Sequence, residues 1–249
     1  MTIRAQCSAA LLLLAALLCP PPCRAQSAEV PAVGDLPLVE VPAPRDRPQG
    51  ADAREPPLVV ILTGDGGWAD IDQEIAAVLS ANGMPVIGFN SLRYYWQPRT
   101  PEGATRDVAR VVAHYLHEYS LSRIVFIGYS FGADVLPFVV NRLPAEQHRS
   151  VEGVVLIGPS RLATFEIHIS AWLPWKKPEG TPLAPEFAKL DAHRVFCIHG
   201  SEEHDSSCLD LAKAGAGIAE ISGGHHFGRQ YQEVADRILA FVQETRLKR

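Results

Sequence analysis

From residue 58 onward the chain alternates apolar runs with segments of helical spacing. Leu58-Val59-Val60-Ile61-Leu62 is a continuous branched apolar run between Pro57 and Gly64. A run of that length and composition predicts a strand buried on both faces of a parallel sheet. Residues 71–82 carry helical spacing and stop at Gly83. Residues 85–89 predict a second strand. Residues 100–119 predict a helix, with Thr100 as N-cap, Pro101 in the first helical position and Glu102 in the first turn. Residues 123–127 predict a third strand that runs into Gly128. Residues 133–141 read as a helix with Pro137 as a kink point. Further strands are predicted at 154–157, 194–198 and 217–221, and an amphipathic helix at 231–247 closes the chain. Strands alternating with helices predict an α/β architecture: a mostly parallel sheet with helices on both faces. Residues 161–189 break the alternation. They hold Trp172, Trp175 and several prolines, which suits an insertion beside the site.

The first 57 residues follow a different logic. Arg4 precedes a short apolar run over 9–18, too short for a span of about 20 residues. Cys23-Arg24-Ala25 suits cleavage before Gln26, so residues 1–25 read as a signal peptide. Leu17-Leu18-Cys19 is loosely similar to a lipobox, but Leu18 is bulky where that pattern needs a small residue. Residues 26–57, rich in Pro and Ala, read as a lead-in without regular structure. The α/β domain is assigned to 58–249. Three of five cysteines fall in the leader, and the mature chain keeps Cys197 and Cys208. An even pair in an oxidising compartment predicts one disulfide. A loop this short gives about 2–3 kcal/mol in the entropic account. The formal net charge of −5, with no clustered basic face, excludes a nucleic-acid binder.

Gly128-Tyr129-Ser130-Phe131-Gly132 matches the nucleophile elbow of the α/β-hydrolase fold, between a predicted strand and a predicted helix. The glycines permit the tight turn that lifts Ser130 above the sheet, and the Phe131 backbone N–H becomes an oxyanion donor. In this fold the chain order is Ser, acid, His. The base is His225 or His226, in Gly223-Gly224-His225-His226-Phe227. His226 is preferred because it directly precedes Phe227, a spacing similar to Gly-x-x-His-Phe in related hydrolases. The acid is Glu203, three residues after Gly200, or Asp205, the more common residue type; the sequence does not separate them. Either would fix the imidazole tautomer and stabilise its cation. A second oxyanion donor is expected from the glycine-rich loop of Gly64, Asp65, Gly66 and Gly67, each donor being worth roughly 3–4 kcal/mol. Asp65 either contacts substrate or caps the next helix. No Lys-Ser/Thr follows that loop, so it is not a phosphate loop. His199, His204, His225 and His226 could gather near Glu203, yet no helix carries a paired-histidine metal motif. No metal and no cofactor are expected.

Several stretches resemble one family, the VirJ/AcvB proteins of the bacterial periplasm. They are Leu62-Thr63-Gly64-Asp65-Gly66-Gly67-Trp68, Ser91-Leu92-Arg93-Tyr94-Tyr95-Trp96, Arg99-Thr100-Pro101-Glu102, the elbow continued through Ala133 and Asp134, the segment from Cys197 to Cys208, and the His225-His226 loop. The resemblance implies an α/β-hydrolase fold, a periplasmic site and hydrolysis of an ester. For AcvB-like members it implies the aminoacyl ester of lysyl-phosphatidylglycerol. Some members are linked to virulence and secretion. AcvB-like proteins carry an extra N-terminal domain, so this chain is more similar to the single-domain VirJ form. The expected partners are a lipid or small ester substrate and a membrane surface, with no nucleic acid. Tyr94, Tyr95 and Trp96 read either as a wall of the site or as core, and Asp65 or Asp134 as the contact for a cationic aminoacyl group. The rival readings are a non-catalytic periplasmic adaptor and a general esterase or lipase.

Overall fold

The computed structural model describes residues 30–44, 55–167, 179–204 and 206–247. The leader, Trp172, Trp175 and Asp205 lie outside these described residues. In chain order the elements are β1 (Leu38–Val41), β2 (Leu58–Leu62), α1 (Asp70–Ala81), β3 (Val86–Phe89) and α2 (Ser91–Tyr94), then α3 (Pro101–Glu118), β4 (Ile124–Tyr129) and α4 (Phe131–Val140). There follow α5 (Ala145–Ser150), β5 (Val151–Ile157), β6 (Leu162–Ala163), β7 (Thr181–Pro182) and α6 (Ala184–Phe187). The last are β8 (Val195–Gly200), α7 (Cys208–Lys213), β9 (Gly217–Ile221) and α8 (Tyr231–Leu247).

The main sheet runs β1-β3-β2-β4-β5-β8-β9. All pairings are parallel except β1 with β3. The short pair β6–β7 stands apart and is antiparallel. Alternate residues of the central strands feed two cores. Leu58, Val60 and Leu62 of β2 face α3 and α4, where Val108, Val112, Val135 and Val139 cover them. Val59 and Ile61 face α1 and α8, against Ile71, Ile75, Val234 and Ile238. With both faces covered, β2, β4 and β5 are buried along their whole length. That is why they read as unbroken apolar runs.

Two boundaries depart from the sequence reading. Helix α4 begins at Phe131, directly after the elbow serine, and runs through Pro137. β1 lies inside the segment read as a lead-in and pairs Leu38 with Phe89 and Val41 with Val86. A four-residue strand is too short to display periodicity, and its partner is distant in sequence.

The Cys197–Cys208 disulfide is present, with Cα atoms 5.4 Å apart. It joins β8 to the start of α7 across the loop that carries Glu203. Replacing both cysteines with alanine is expected to cost roughly 3 kcal/mol. The measurement is the urea midpoint. Dithiothreitol should lower it in the wild type and leave the variant unmoved; equal midpoints for oxidised and reduced wild type would contradict the bond.

Candidate active site

The elbow is set by two close approaches. A Cβ at Gly132 would stand 2.0 Å from the Leu62 carbonyl oxygen, and one at Gly128 would stand 2.6 Å from the Gly132 carbonyl oxygen. No side chain larger than glycine fits while α4 leaves the sheet at this angle. Between them Ser130 adopts φ 52° and ψ −118°, a conformation costly for a residue with a Cβ. The turn is held by the Ser130 N–H donating to the Ile157 carbonyl at 2.8 Å and the Asp134 N–H donating to the Ser130 carbonyl at 3.0 Å.

The acid sits past the end of β8. The Glu203 N–H donates to the Gly200 carbonyl at 3.0 Å, closing a tight turn. Its Oε2 accepts the Gly200 N–H at 2.7 Å. The base loop follows β9 and is stitched to this turn, because the Glu202 N–H donates to the Gly223 carbonyl at 3.0 Å. Gly223 has φ +105°, which only glycine takes without strain. Together these loops bring His225 between acid and serine. Its Nδ1 lies 2.6 Å from Glu203 Oε1, and its Nε2 lies 2.8 Å from Ser130 Oγ. An ionised carboxylate only accepts, so Nδ1 carries the proton and Nε2 is left to accept from the serine hydroxyl.

The preference for His226 is therefore corrected: His225 is the residue at the serine. His226 meets the Tyr129 hydroxyl instead, with Nδ1 2.9 Å from its oxygen. The next residue, Phe227, has φ 53° and a wholly buried side chain. That anchor fixes the loop one residue out of step with the familiar spacing. Tyr129 orients both histidines, since its ring also stacks on His225 at 5.7 Å between centroids.

Sequence reasoning missed Gly158. A Cβ there would stand 2.8 Å from His225 Cε1, and its φ is +59°. The imidazole rests against bare backbone at the end of β5. The only sequence signal is a glycine directly after a strand that neighbours the elbow strand.

The glycine-rich loop lies where it was expected. A Cβ at Gly64 would be 3.5 Å from Ser130 Cβ, and the Gly67 N–H donates to the Gly64 carbonyl at 3.1 Å. Thr63 Oγ1 accepts the Ser91 N–H at 2.9 Å and ties this loop to α2. Asp65 does not cap α1, whose N-cap is Ala69. Phe131 opens α4, so its N–H has no partner within the helix. Tyr94 and Tyr95 are core residues; Tyr95 is fully buried and meets the Phe131 ring edge-on at 4.9 Å. Trp96 is half exposed. His199 is buried, with Nδ1 3.1 Å from the Gly200 carbonyl oxygen, and His204 is exposed. Among the described residues no group of three His, Cys, Asp or Glu is placed to hold a metal ion.

Electrostatics follow the contacts. The hydrogen bond to Glu203 holds the His225 pKa above its usual value against burial; Asp134 and Asp65 add to that upward pull. Burial pushes Glu203 upward, but its bonds to His225 and Gly200 and the nearby imidazoles outweigh it and leave the carboxyl below its usual range. Burial carries the Asp134 carboxyl up to about 7, although it accepts the Ser160 N–H at 2.7 Å and the Ser160 hydroxyl at 2.9 Å.

The comparisons agree with this geometry at the level of fold. Residues 57–246 match a family described as bacterial virulence protein VirJ. Est1E from Butyrivibrio proteoclasticus, solved with ferulic acid bound, superposes with a TM-score of 0.58 at 12% identity, over 88% of this chain and 99% of that one. A proline iminopeptidase from Mycobacterium smegmatis gives 0.57 at 11% identity, over 88% and 99%. XC6422 from Xanthomonas campestris, described as an a/b serine hydrolase without a lid, gives 0.54 at 13% identity, over 83% and 88%. These likenesses show the α/β-hydrolase fold. No curated protein sequence matches.

In Glu203→Gln the His225 ring loses the carboxylate that favours its charged form. Its NMR titration midpoint is expected to fall below the wild-type value. The folded value is raised above the unfolded one of about 6.5. The pair therefore adds stability that is complete below about pH 6.5 and is lost as pH rises through the folded value. An unchanged midpoint in the variant would show that the two groups do not pair in solution.

Proposed function

The chain belongs to the VirJ family, and on that footing we propose that it is a serine hydrolase that cleaves an ester. The observation that carries this reading is the unbroken relay Glu203–His225–Ser130, with links of 2.6 and 2.8 Å. Ser130 Oγ attacks the ester carbonyl carbon while His225 Nε2 takes the hydroxyl proton. The carbonyl oxygen becomes an oxyanion, held by the Phe131 N–H and by N–H groups of the loop at Gly64, Asp65 and Gly66. The carbonyl re-forms, the bond to the alkoxy oxygen breaks, and the leaving alcohol takes the proton from His225. Water then attacks the acyl-serine by the same route and releases the acid. Glu203 stays ionised and stabilises the imidazolium.

The finer proposal is an aminoacyl ester on a phospholipid, such as lysyl-phosphatidylglycerol, hydrolysed in the periplasm at the membrane surface. Its support is the family resemblance, the leader-like N-terminus and the cystine, which suits an oxidising compartment. Asp65 adds negative potential at His225, which suits a substrate with a cation near its carbonyl. The family's description supports a part in virulence.

Ser130→Ala and His225→Ala are each expected to lower kcat by about 10⁶ on a short aryl ester. His226→Ala should keep most of the rate. Fluorophosphonate should label Ser130. Full turnover by Ser130→Ala, or a rate that tracks His226 in place of His225, would overturn the assignment. In a deletion strain complemented with Ser130→Ala, aminoacyl-phospholipid should accumulate as in the deletion itself. A normal lipid profile there would remove the lipid substrate and leave the serine reading intact.

A further inference from the structure

At the carboxyl edge of the sheet, beside the end of β3, lies a groove of about 500 Å³. Leu36 and Pro37 line one side, and Arg93, Tyr94 and Arg99 the other. A volume of this size is in the range of small-molecule sites, roughly 300–1,000 Å³. Leu38 pairs with Phe89, the last residue of β3, so the groove opens on the same edge as Ser130. β3 and β2 separate β1, whose first residue lines the groove, from β4. At one strand spacing each, the lateral offset from the elbow is about 14 Å. This edge is where parallel α/β sheets bind ligands.

The acids of the groove are already engaged. Asp107 accepts the Tyr94 hydroxyl at 2.6 Å and Arg110 at 3.0 Å. Asp35 is held by the same Arg110 at 2.7 Å. Arg93 and Arg99 have no carboxylate partner among the described residues. Arg99 is nonetheless ordered. Its guanidinium carbon lies 4.3 Å above the Tyr94 ring, its Nε–H donates to the Tyr94 carbonyl at 3.2 Å, and its main-chain N–H donates to Phe165 at 2.9 Å. Its two terminal amino groups are left to form a fork, the geometry that matches two oxygens of a phosphate. Stacked, pre-oriented arginine loses little freedom when it binds. Tyr94 packs on Tyr95, and Tyr95 on Phe131, so the groove wall and the nucleophile share one rigid core.

We propose that this groove is an anion subsite, in which Arg93 and Arg99 hold a phosphate ester group of the molecule whose carbonyl meets Ser130. Its link to hydrolysis rests on the reading of Ser130 as nucleophile; the anion site itself does not. The phosphate of a lipid headgroup and that of a soluble phosphate ester offer the same oxygens.

Binding by the full chain is measured with inorganic phosphate and glycerol phosphate by calorimetry, and with phosphatidylglycerol against phosphatidylcholine vesicles by co-sedimentation. The wild type is expected to bind glycerol phosphate or the anionic vesicles. Arg93→Gln/Arg99→Gln should weaken that binding about tenfold or more, with the variant still folded by circular dichroism. Glycerol phosphate alone would assign a soluble ester; the vesicles would assign a lipid headgroup. No binding of any probe by the wild type, or equal binding by the double variant, overturns the site. In turnover, the ratio of kcat/KM on a phosphate-bearing ester to that on a neutral aryl ester should fall about tenfold in the double variant, through KM. An equal fall on both esters overturns the link to Ser130. If the wild type turns over neither ester, the hydrolase reading fails, and the binding arm still decides the anion site.

Discussion

The structure depends on a contact that leaves no room for a side chain. Helix α4 meets the ends of β2 and β4 through Gly132 and Gly128, where a single added carbon would overlap backbone. This approach forces Ser130 into positive φ, at a cost of order 1–3 kcal/mol. Wholly buried β4 and the backbone bonds of Ser130 to Ile157 and Asp134 hold the turn. Every other part of the site takes its position from that fixed hydroxyl.

The sheet order then distributes the chemistry. β4 supplies the serine, β5 ends in the bare backbone at Gly158, β8 leads to Glu203, and β9 to His225. These four strands are consecutive neighbours, so loops far apart in sequence converge on one edge. The imidazole is held on several sides: by Glu203 at Nδ1, by the stacked Tyr129 ring, and by the space left at Gly158. Orientation of that kind is built into the fold and does not depend on the ring's own torsional preferences.

What could be read from the sequence follows from physical range. β2, β4, β5 and β8 announce themselves because burial on two faces demands apolar residues at nearly every position. The elbow is legible because glycine at both ends of one turn is a local demand. The acid is legible only as a pair, Glu203 or Asp205, because several carboxylates share one loop and the choice depends on how β8 and β9 set it against His225. β1 is not, because Leu38–Val41 is stabilised by pairing with Phe89 and its neighbours, far along the chain. His225 and not His226 reaches Ser130 in a loop whose register is anchored by Phe227, with its buried ring and positive φ, and neither is visible in a two-letter repeat. Gly158 and the Arg93–Arg99 groove escape for the same reason: each depends on what a remote segment places opposite it.

The three links around the acid and base span unequal lengths of chain. The cystine joins residues 11 apart, Glu203 and His225 are 22 apart, and Ser130 and His225 are 95 apart. In an unstructured chain, closing the longest of these loops costs about 2 kcal/mol more than closing the shortest. The acid end can thus be tethered locally, whereas the hydroxyl meets the imidazole only when β4, β5, β8 and β9 lie side by side. That contact is a gauge of the whole domain's integrity. A half-formed chain does not yet hold that pair together.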